Sequence, residues 1–315
     1  MGTRRTDLHP DVEEMLARLD EGFPTVSQMT GAEARAAIEA RRGPRVTEPD
    51  LASLTDLSID GPGGPLALRV YVPHRQERTG ALPVIVFAHG GGFVFCNLDT
   101  HDEFCRAMAH NTETVVVSVD YRLAPENPAP AAMEDMYAAV EWAAASIGEF
   151  GGDPSCIAVA GDSAGGNLSA TVSIAARDRG GPRIAGQILI YPVLGEGSGT
   201  ASYTEYAKGY YNDVASLEWY WNNYAPAGRD SSLVDPTRAS SHQGLPPAVI
   251  APAELDALCD SAEEYADTLR AAGVPVAFHR FDGLFHGVLT FAQFSLTPAA
   301  RAQMWALVRG LPGFA

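Results

Sequence analysis

The chain predicts an α/β fold: one mostly parallel, doubly wound sheet with helices on both faces. Three observations predict it. Short apolar runs occur without polar alternation, as in strands covered on both sides. Helical stretches separate those runs, which is the rhythm of strand–helix–strand units. One run also ends in Gly161-Asp162-Ser163-Ala164-Gly165, a strand-to-helix turn built around a serine.

The elements follow in order. Val12, Met15, Leu16 and Leu19 recur at the spacing of one helix face. A second helix is expected to begin at Thr30, with Glu33 completing a capping box. The Gly43-Pro44 pair breaks that pattern. Leu54–Ile59 and Leu66–Val72 flank Gly61-Pro62-Gly63-Gly64 and read as an antiparallel hairpin. Strands are then expected at Val84–Ala88, Thr114–Val119, Ile157–Ala160, Gln187–Tyr191, Ala248–Ala251 and Val274–Arg280. Helices are expected near Phe104–His110, Ala131–Ile147, Ala164–Arg177 and Asp260–Ala272, with a last one after Pro298. From Glu196 to about Leu245 the rhythm stops. That stretch carries many aromatic residues and no clear strand. No repeat or linker divides the 315 residues, so a single sheet domain with added helices is the expected count.

Composition narrows the partners. At 46% hydrophobic and 19% charged, the chain can bury a large core and is not disordered. Lys+Arg 22 against Asp+Glu 39 leaves a formal charge of −17, which repels nucleic-acid backbones and anionic membrane surfaces. No apolar run approaches the ~18 residues of a membrane span. The first twenty residues lack the apolar run of a secretory signal, so a cytoplasmic protein is expected. Cys96, Cys105, Cys156 and Cys259 show no paired spacing suited to zinc and read as thiols in a reducing compartment. No metal or cofactor is implied.

Ser163 carries the chemistry. A turn this tight forces the serine into a strained backbone conformation, and the glycines two residues to either side remove side chains that would clash. The hydroxyl is then presented at a helix N-terminus, where developing negative charge is favoured. A second glycine run, His89-Gly90-Gly91-Gly92-Phe93, directly follows a strand. Its open backbone can bring N–H groups to an oxyanion, and the expected donors are Gly91 and Gly92 together with Ala164, the residue after the serine. A phosphate loop is the rival reading. It fails because Phe95 stands where a dinucleotide fingerprint needs glycine, and no Gly-Lys-Ser/Thr occurs.

HGGGF, then Asp120-Tyr121-Arg122-Leu123-Ala124-Pro125-Glu126, then GDSAGGN resembles the hormone-sensitive-lipase-like esterases of the α/β-hydrolase fold, and within them the bacterial carboxylesterases of the GDSAG subgroup. The resemblance runs through Tyr191-Pro192, Leu245-Pro246-Pro247 and Phe285-His286-Gly287, over nearly the whole chain. In that fold the order is nucleophile, acid, histidine. His286 is the expected base, because it sits in a loop between Gly283 and Gly287, whereas His279 falls inside a strand. Glu254, Asp256 and Asp260 are the available acids. Asp260, with Glu263 three residues on, reads as a helix cap, and Glu254 stays open. Asp256 matches the family's acid position, although this chain has Asp256-Ala257-Leu258-Cys259-Asp260 where relatives often have Asp-Pro-Leu-x-x-Asp.

The resemblance implies a serine carboxylesterase acting on small-molecule esters with short- to medium-chain acyl groups. It also makes residues 1–50 and 196–240 a helical cap over a core of residues 51–195 and 241–315. Phe93, Tyr210 and Tyr211 are expected to touch substrate, and an Arg122–Asp162 ion pair is expected beside the serine. Two other readings use the same fold: an amidase or deacetylase sharing the triad, and a non-catalytic small-molecule receptor like the plant hormone receptors that lack the histidine. The last strand offers an edge for a homodimer.

Overall fold

The computed structural model describes residues 4–43, 46–75, 80–195 and 197–315. Pro44 of the expected Gly43-Pro44 break and residue 196, the first position assigned to the cap insertion, lie outside the described residues.

The chain opens with α1 (Pro10–Gly22) and α2 (Gly31–Glu39). The capping box at Thr30 forms as expected: the Glu33 N–H donates to Thr30 Oγ1, and Glu33 Oε2 accepts from the Thr30 N–H at 2.8 Å. Strands β1 (Ser53–Gly61) and β2 (Gly64–Val72) form the hairpin, with Gly61 opposite Gly64 across Pro62-Gly63. Next come β3 (Leu82–Ala88), α3 (Asp102–Thr112), β4 (Val115–Val119), α4 (Ala131–Ser146), β5 (Gly152–Asp162), α5 (Ala164–Arg179) and β6 (Ile184–Ile190). The aromatic stretch folds as α6 (Ala201–Glu205) and α7 (Val214–Tyr224). The chain ends with β7 (Ala248–Ala251), β8 (Ala253–Leu255), α8 (Cys259–Ala271), β9 (Val276–Phe278), β10 (Phe281–Phe285) and α9 (Thr297–Arg309).

Eight strands form the main sheet in the order β1-β2-β4-β3-β5-β6-β7-β9. The β1–β2 and β2–β4 pairs are antiparallel, and all remaining neighbours are parallel. The unbroken apolar runs have a direct cause. In β3, Val84, Val86 and Ala88 pack on the face covered by α4 and α5, while Ile85 and Phe87 pack on the face covered by α3 and α9. A strand covered on both sides has no position left for a polar residue.

Two expectations need correction. The run Val274–Arg280 is not one strand: β9 ends at Phe278, His279 and Arg280 turn the chain, and Phe281 starts β10, which pairs in parallel with β8. Asp260 is not the helix cap either. Helix α8 begins at Cys259, and the Asp260 carboxylate instead accepts the Ser202 N–H of α6 at 2.8 Å, joining the aromatic insert to the sheet domain. Among the described residues, no helix is long and apolar enough to cross a membrane.

Candidate active site

Strand β5 ends at Asp162, and α5 starts at Ala164, which leaves Ser163 alone in the turn with φ 56° and ψ −116°. No regular element supplies that conformation, so the neighbouring backbone holds it. The Ser163 N–H donates to Ile190 O at 2.8 Å, and Ser163 O accepts from the Val193 N–H at 3.1 Å. The flanking glycines are sterically required. A β-carbon on Gly165 would lie 1.9 Å from Ala88 O, and one on Gly161 would lie 2.3 Å from the Gly165 carbonyl.

His286 and Asp256 come from the far side of the sheet. His286 follows β10, and Asp256 follows β8, its parallel partner in the small second sheet. That pairing sets both loops side by side. His286 Nε2 lies 2.9 Å from Ser163 Oγ, and His286 Nδ1 lies 2.6 Å from Asp256 Oδ2. All three side chains are buried. Asp256 Oδ1 also accepts the Leu258 N–H at 3.2 Å, so the carboxylate is fixed from both ends. The other two acids are engaged elsewhere. Glu254 accepts from Arg5 at 2.7 Å and from the Gly283 N–H, and Asp260 is held by Ser202. His279 is half-buried, with Nε2 3.1 Å from Gln303 Oε1.

Gly91 and Gly92 face Ser163 and His286 across a narrow cleft of about 90 Å³. Their φ values of 111° and 58° are left-handed, which only glycine adopts without cost. Among the described residues, nothing accepts from the N–H groups of Gly91, Gly92 or Ala164, so three donors stay free around the hydroxyl. The arrangement can transfer a proton from a serine to an imidazole and stabilise an oxyanion with backbone amides.

The aromatic lining differs from expectation. Phe93 is fully buried and does not reach the cleft. Its left-handed turn (φ 64°) sends the ring under α7, stacked on Tyr224 with centroids 3.8 Å apart. Tyr210 is also buried away from the cleft, where its hydroxyl accepts the Arg5 N–H at 2.9 Å. Tyr211 does line the cleft, together with Phe23, Phe95 and Tyr220, which sequence reasoning did not single out. Only Tyr220 had a local signal, as one aromatic among many in α7. A larger open groove of about 660 Å³ lies on the far side of Cys96 and contains none of the three paired residues.

The expected Arg122–Asp162 pair does not form. Arg122 turns instead to Asp135 in the first turns of α4, 2.8 Å from its Nε, because Asp162 is occupied by the Gly90 N–H at 2.8 Å and by His101 Nε2 at 3.2 Å. His89 is buried, stacked on Tyr121 at 4.3 Å, with Nδ1 2.7 Å from Gly90 O, so it supports the glycine loop. Among the described residues, no cluster of three or more His, Cys, Asp or Glu is placed to hold a metal ion.

A family model described as the alpha/beta hydrolase fold matches residues 85–290, spanning both the glycine loop and His286. The chain belongs to the hormone-sensitive-lipase-like esterases of that fold. Its similarity to individual members extends over almost the full length. It is 40% identical over 298 residues to the esterase LipI of Mycobacterium tuberculosis, covering 93% of this chain and 92% of that one. It is likewise 40% identical over 314 residues to the carboxylesterase NlhH of the same species, covering 95% and 94%. Among solved structures, a thermostable esterase from Pseudomonas putida superposes with a TM-score of 0.88 at 34% identity, covering 96% of each chain.

Proposed function

We propose that the protein is a serine carboxylesterase that cleaves short- to medium-chain esters through an acyl-enzyme, with Ser163 as nucleophile, His286 as base and Asp256 as its orienting acid. The observation that carries this reading is the continuous line Ser163 Oγ, His286 Nε2, His286 Nδ1, Asp256 Oδ2, with successive gaps of 2.9 and 2.6 Å across it. A free serine hydroxyl is a poor nucleophile. His286 accepts its proton as the Ser163 Oγ–acyl carbon bond forms, and Asp256 selects the Nδ1–H tautomer and stabilises the imidazolium without taking the proton. The amides of Gly91, Gly92 and Ala164 receive the oxyanion. His286 then returns the proton to the departing alcohol, and a water activated by the same imidazole releases the acid.

The helices before residue 50 and those of residues 196–240 act as a cap over the core. Phe23 and Tyr220, one from each segment, meet at the same cleft and support this division. The sequence Gly161-Asp162-Ser163-Ala164-Gly165 supports membership of the GDSAG subgroup. The unpaired spacing of the cysteines in the sequence supports a cytoplasmic location, and the charge of −17 supports a partner list without nucleic acid. A homodimer would form along β9, the outer strand of the parallel side.

The test is hydrolysis of p-nitrophenyl esters of increasing acyl length by the purified protein, beside matched anilides. Turnover of acetate or butyrate esters that vanishes in Ser163→Ala is the expected result. Faster cleavage of the anilides would move the protein to the amidases, and no turnover of either would leave a receptor.

A further inference from the structure

Asp162 and His101 also line the cleft wall, and the proton relay uses neither. Asp162 ends β5, and His101 precedes α3. Both are buried, and their closest approach is 3.2 Å. The same carboxylate oxygen accepts the Gly90 N–H at 2.8 Å. The fit is tight enough that a β-carbon on Gly90 would meet Asp162 Oδ2 at 2.4 Å. Asp162 therefore anchors the first glycine of the loop whose next two amides face Ser163.

Hydrogen bonding fixes one proton of the pair. An ionised Asp162 only accepts, so His101 Nε2, 3.2 Å away, donates to it. On its other side, His101 Nδ1 lies 3.0 Å from Thr100 Oγ1, which holds the ring in place. We propose that His101 donates from Nε2 to the Asp162 carboxylate, and that this pair positions the glycine loop for oxyanion binding.

The neighbouring titratable groups are held in other ways. Burial opposes ionisation of Asp162, yet the charge and hydrogen bond of His101, with the Gly90 N–H, hold its carboxyl below the usual range. His89, after β3, has its ring 5.6 Å from His101 and is pushed down to about 3 by burial and by the charge of His101, so it stays neutral. Burial pushes the Cys96 thiol up to about 12 and also raises Cys105 of α3, Tyr121 after β4 and Tyr191 after β6. Asp102 turns away to Arg69, Arg106 and Tyr71.

Removing either side chain should therefore loosen the loop. The inference rests on the esterase reading of the same cleft, and the measurements keep the two separate. In ¹⁵N-histidine spectra of the wild-type protein, Nε2 of His101, assigned by the disappearance of its signal in His101→Gln, should carry a proton at pH 7. An unprotonated Nε2 overturns the proposal whatever the activity. In steady-state assays with p-nitrophenyl acetate, Asp162→Asn and His101→Gln should lose about 10- to 100-fold in kcat, less than the loss of a whole oxyanion donor. KM should stay within about threefold. An unchanged kcat sinks the positioning role. If the wild type hydrolyses no ester, the functional reading fails while the spectra still decide whether His101 donates to Asp162.

Discussion

The ring of Tyr220 lies directly against Gly92: a β-carbon on that glycine would sit 2.2 Å from Tyr220 Cδ1. One residue of α7 thus closes over Gly92 and narrows the cleft. With about 90 Å³ available, the cleft falls well below the several hundred Å³ of drug-sized pockets. Tyr220→Ala should open room for further methylenes, each gaining about 0.8 kcal/mol on burial, or roughly fourfold in binding. The expected outcome is a shift of kcat/KM from acetate toward hexanoate esters. An unchanged chain-length profile would place the limiting wall at Tyr211 or Phe23 instead.

Asp256→Asn keeps the shape of the 2.6 Å contact to His286 but reverses its chemistry, because an amide NH₂ can leave the imidazole in the wrong tautomer. A loss on the order of 10⁴ in kcat is expected. Ser163→Ala and His286→Ala should each cost on the order of 10⁶. All three should keep wild-type circular dichroism, which separates lost chemistry from lost structure.

Phe93 is a packing residue, and its removal should show in stability rather than in substrate binding. Its ring is fully buried between the loop and α7, stacked on Tyr224 and 5.7 Å from Trp221. Phe93→Ala should cost about 3–5 kcal/mol in denaturant unfolding. A variant with unchanged stability but a raised KM would restore the substrate-contact role expected from sequence.

His89 makes stability depend on pH. Burial and the neighbouring His101 push its pKa down to about 3, against about 6.5 in an unfolded chain. Between these values the unfolded state binds the extra proton, so stability rises with pH. The contribution is complete above about 6.5 and is lost as the pH falls toward 3. The lowered carboxyl of Asp162 acts with the same sign at the acid end of that range. Melting temperature should therefore decline below pH 6.5, and His89→Gln should flatten the decline. A parallel decline in the variant would assign the acid sensitivity to other groups.

Much of the fold was legible locally. The strand Ala248–Ala251 was located to the residue, and the Thr30–Glu33 box and the Gly61–Gly64 turn formed where their residue types require. The elbow could be read because its constraint is steric and short-range: Gly161 and Gly165 must be bare for Ser163 to turn. The glycine loop is of the same kind. What failed locally was the run at Val274–Arg280, where apolar content cannot show that one strand stops and a second pairs elsewhere.

Sequence by itself therefore determined most of the strands, the turns and the place of Ser163 at the strand-to-helix turn, since each follows from contacts between residues close in the chain. Only the tertiary structure decided which acid meets His286, because Glu254 is taken by Arg5, 249 positions away, and Asp260 by Ser202, 58 positions away. It alone turned Arg122 to Asp135, buried Phe93 and brought Tyr220 over Gly92. Such choices depend on which side chains reach the same point in space first, and contacts between remote segments leave no periodic or steric trace in the local sequence.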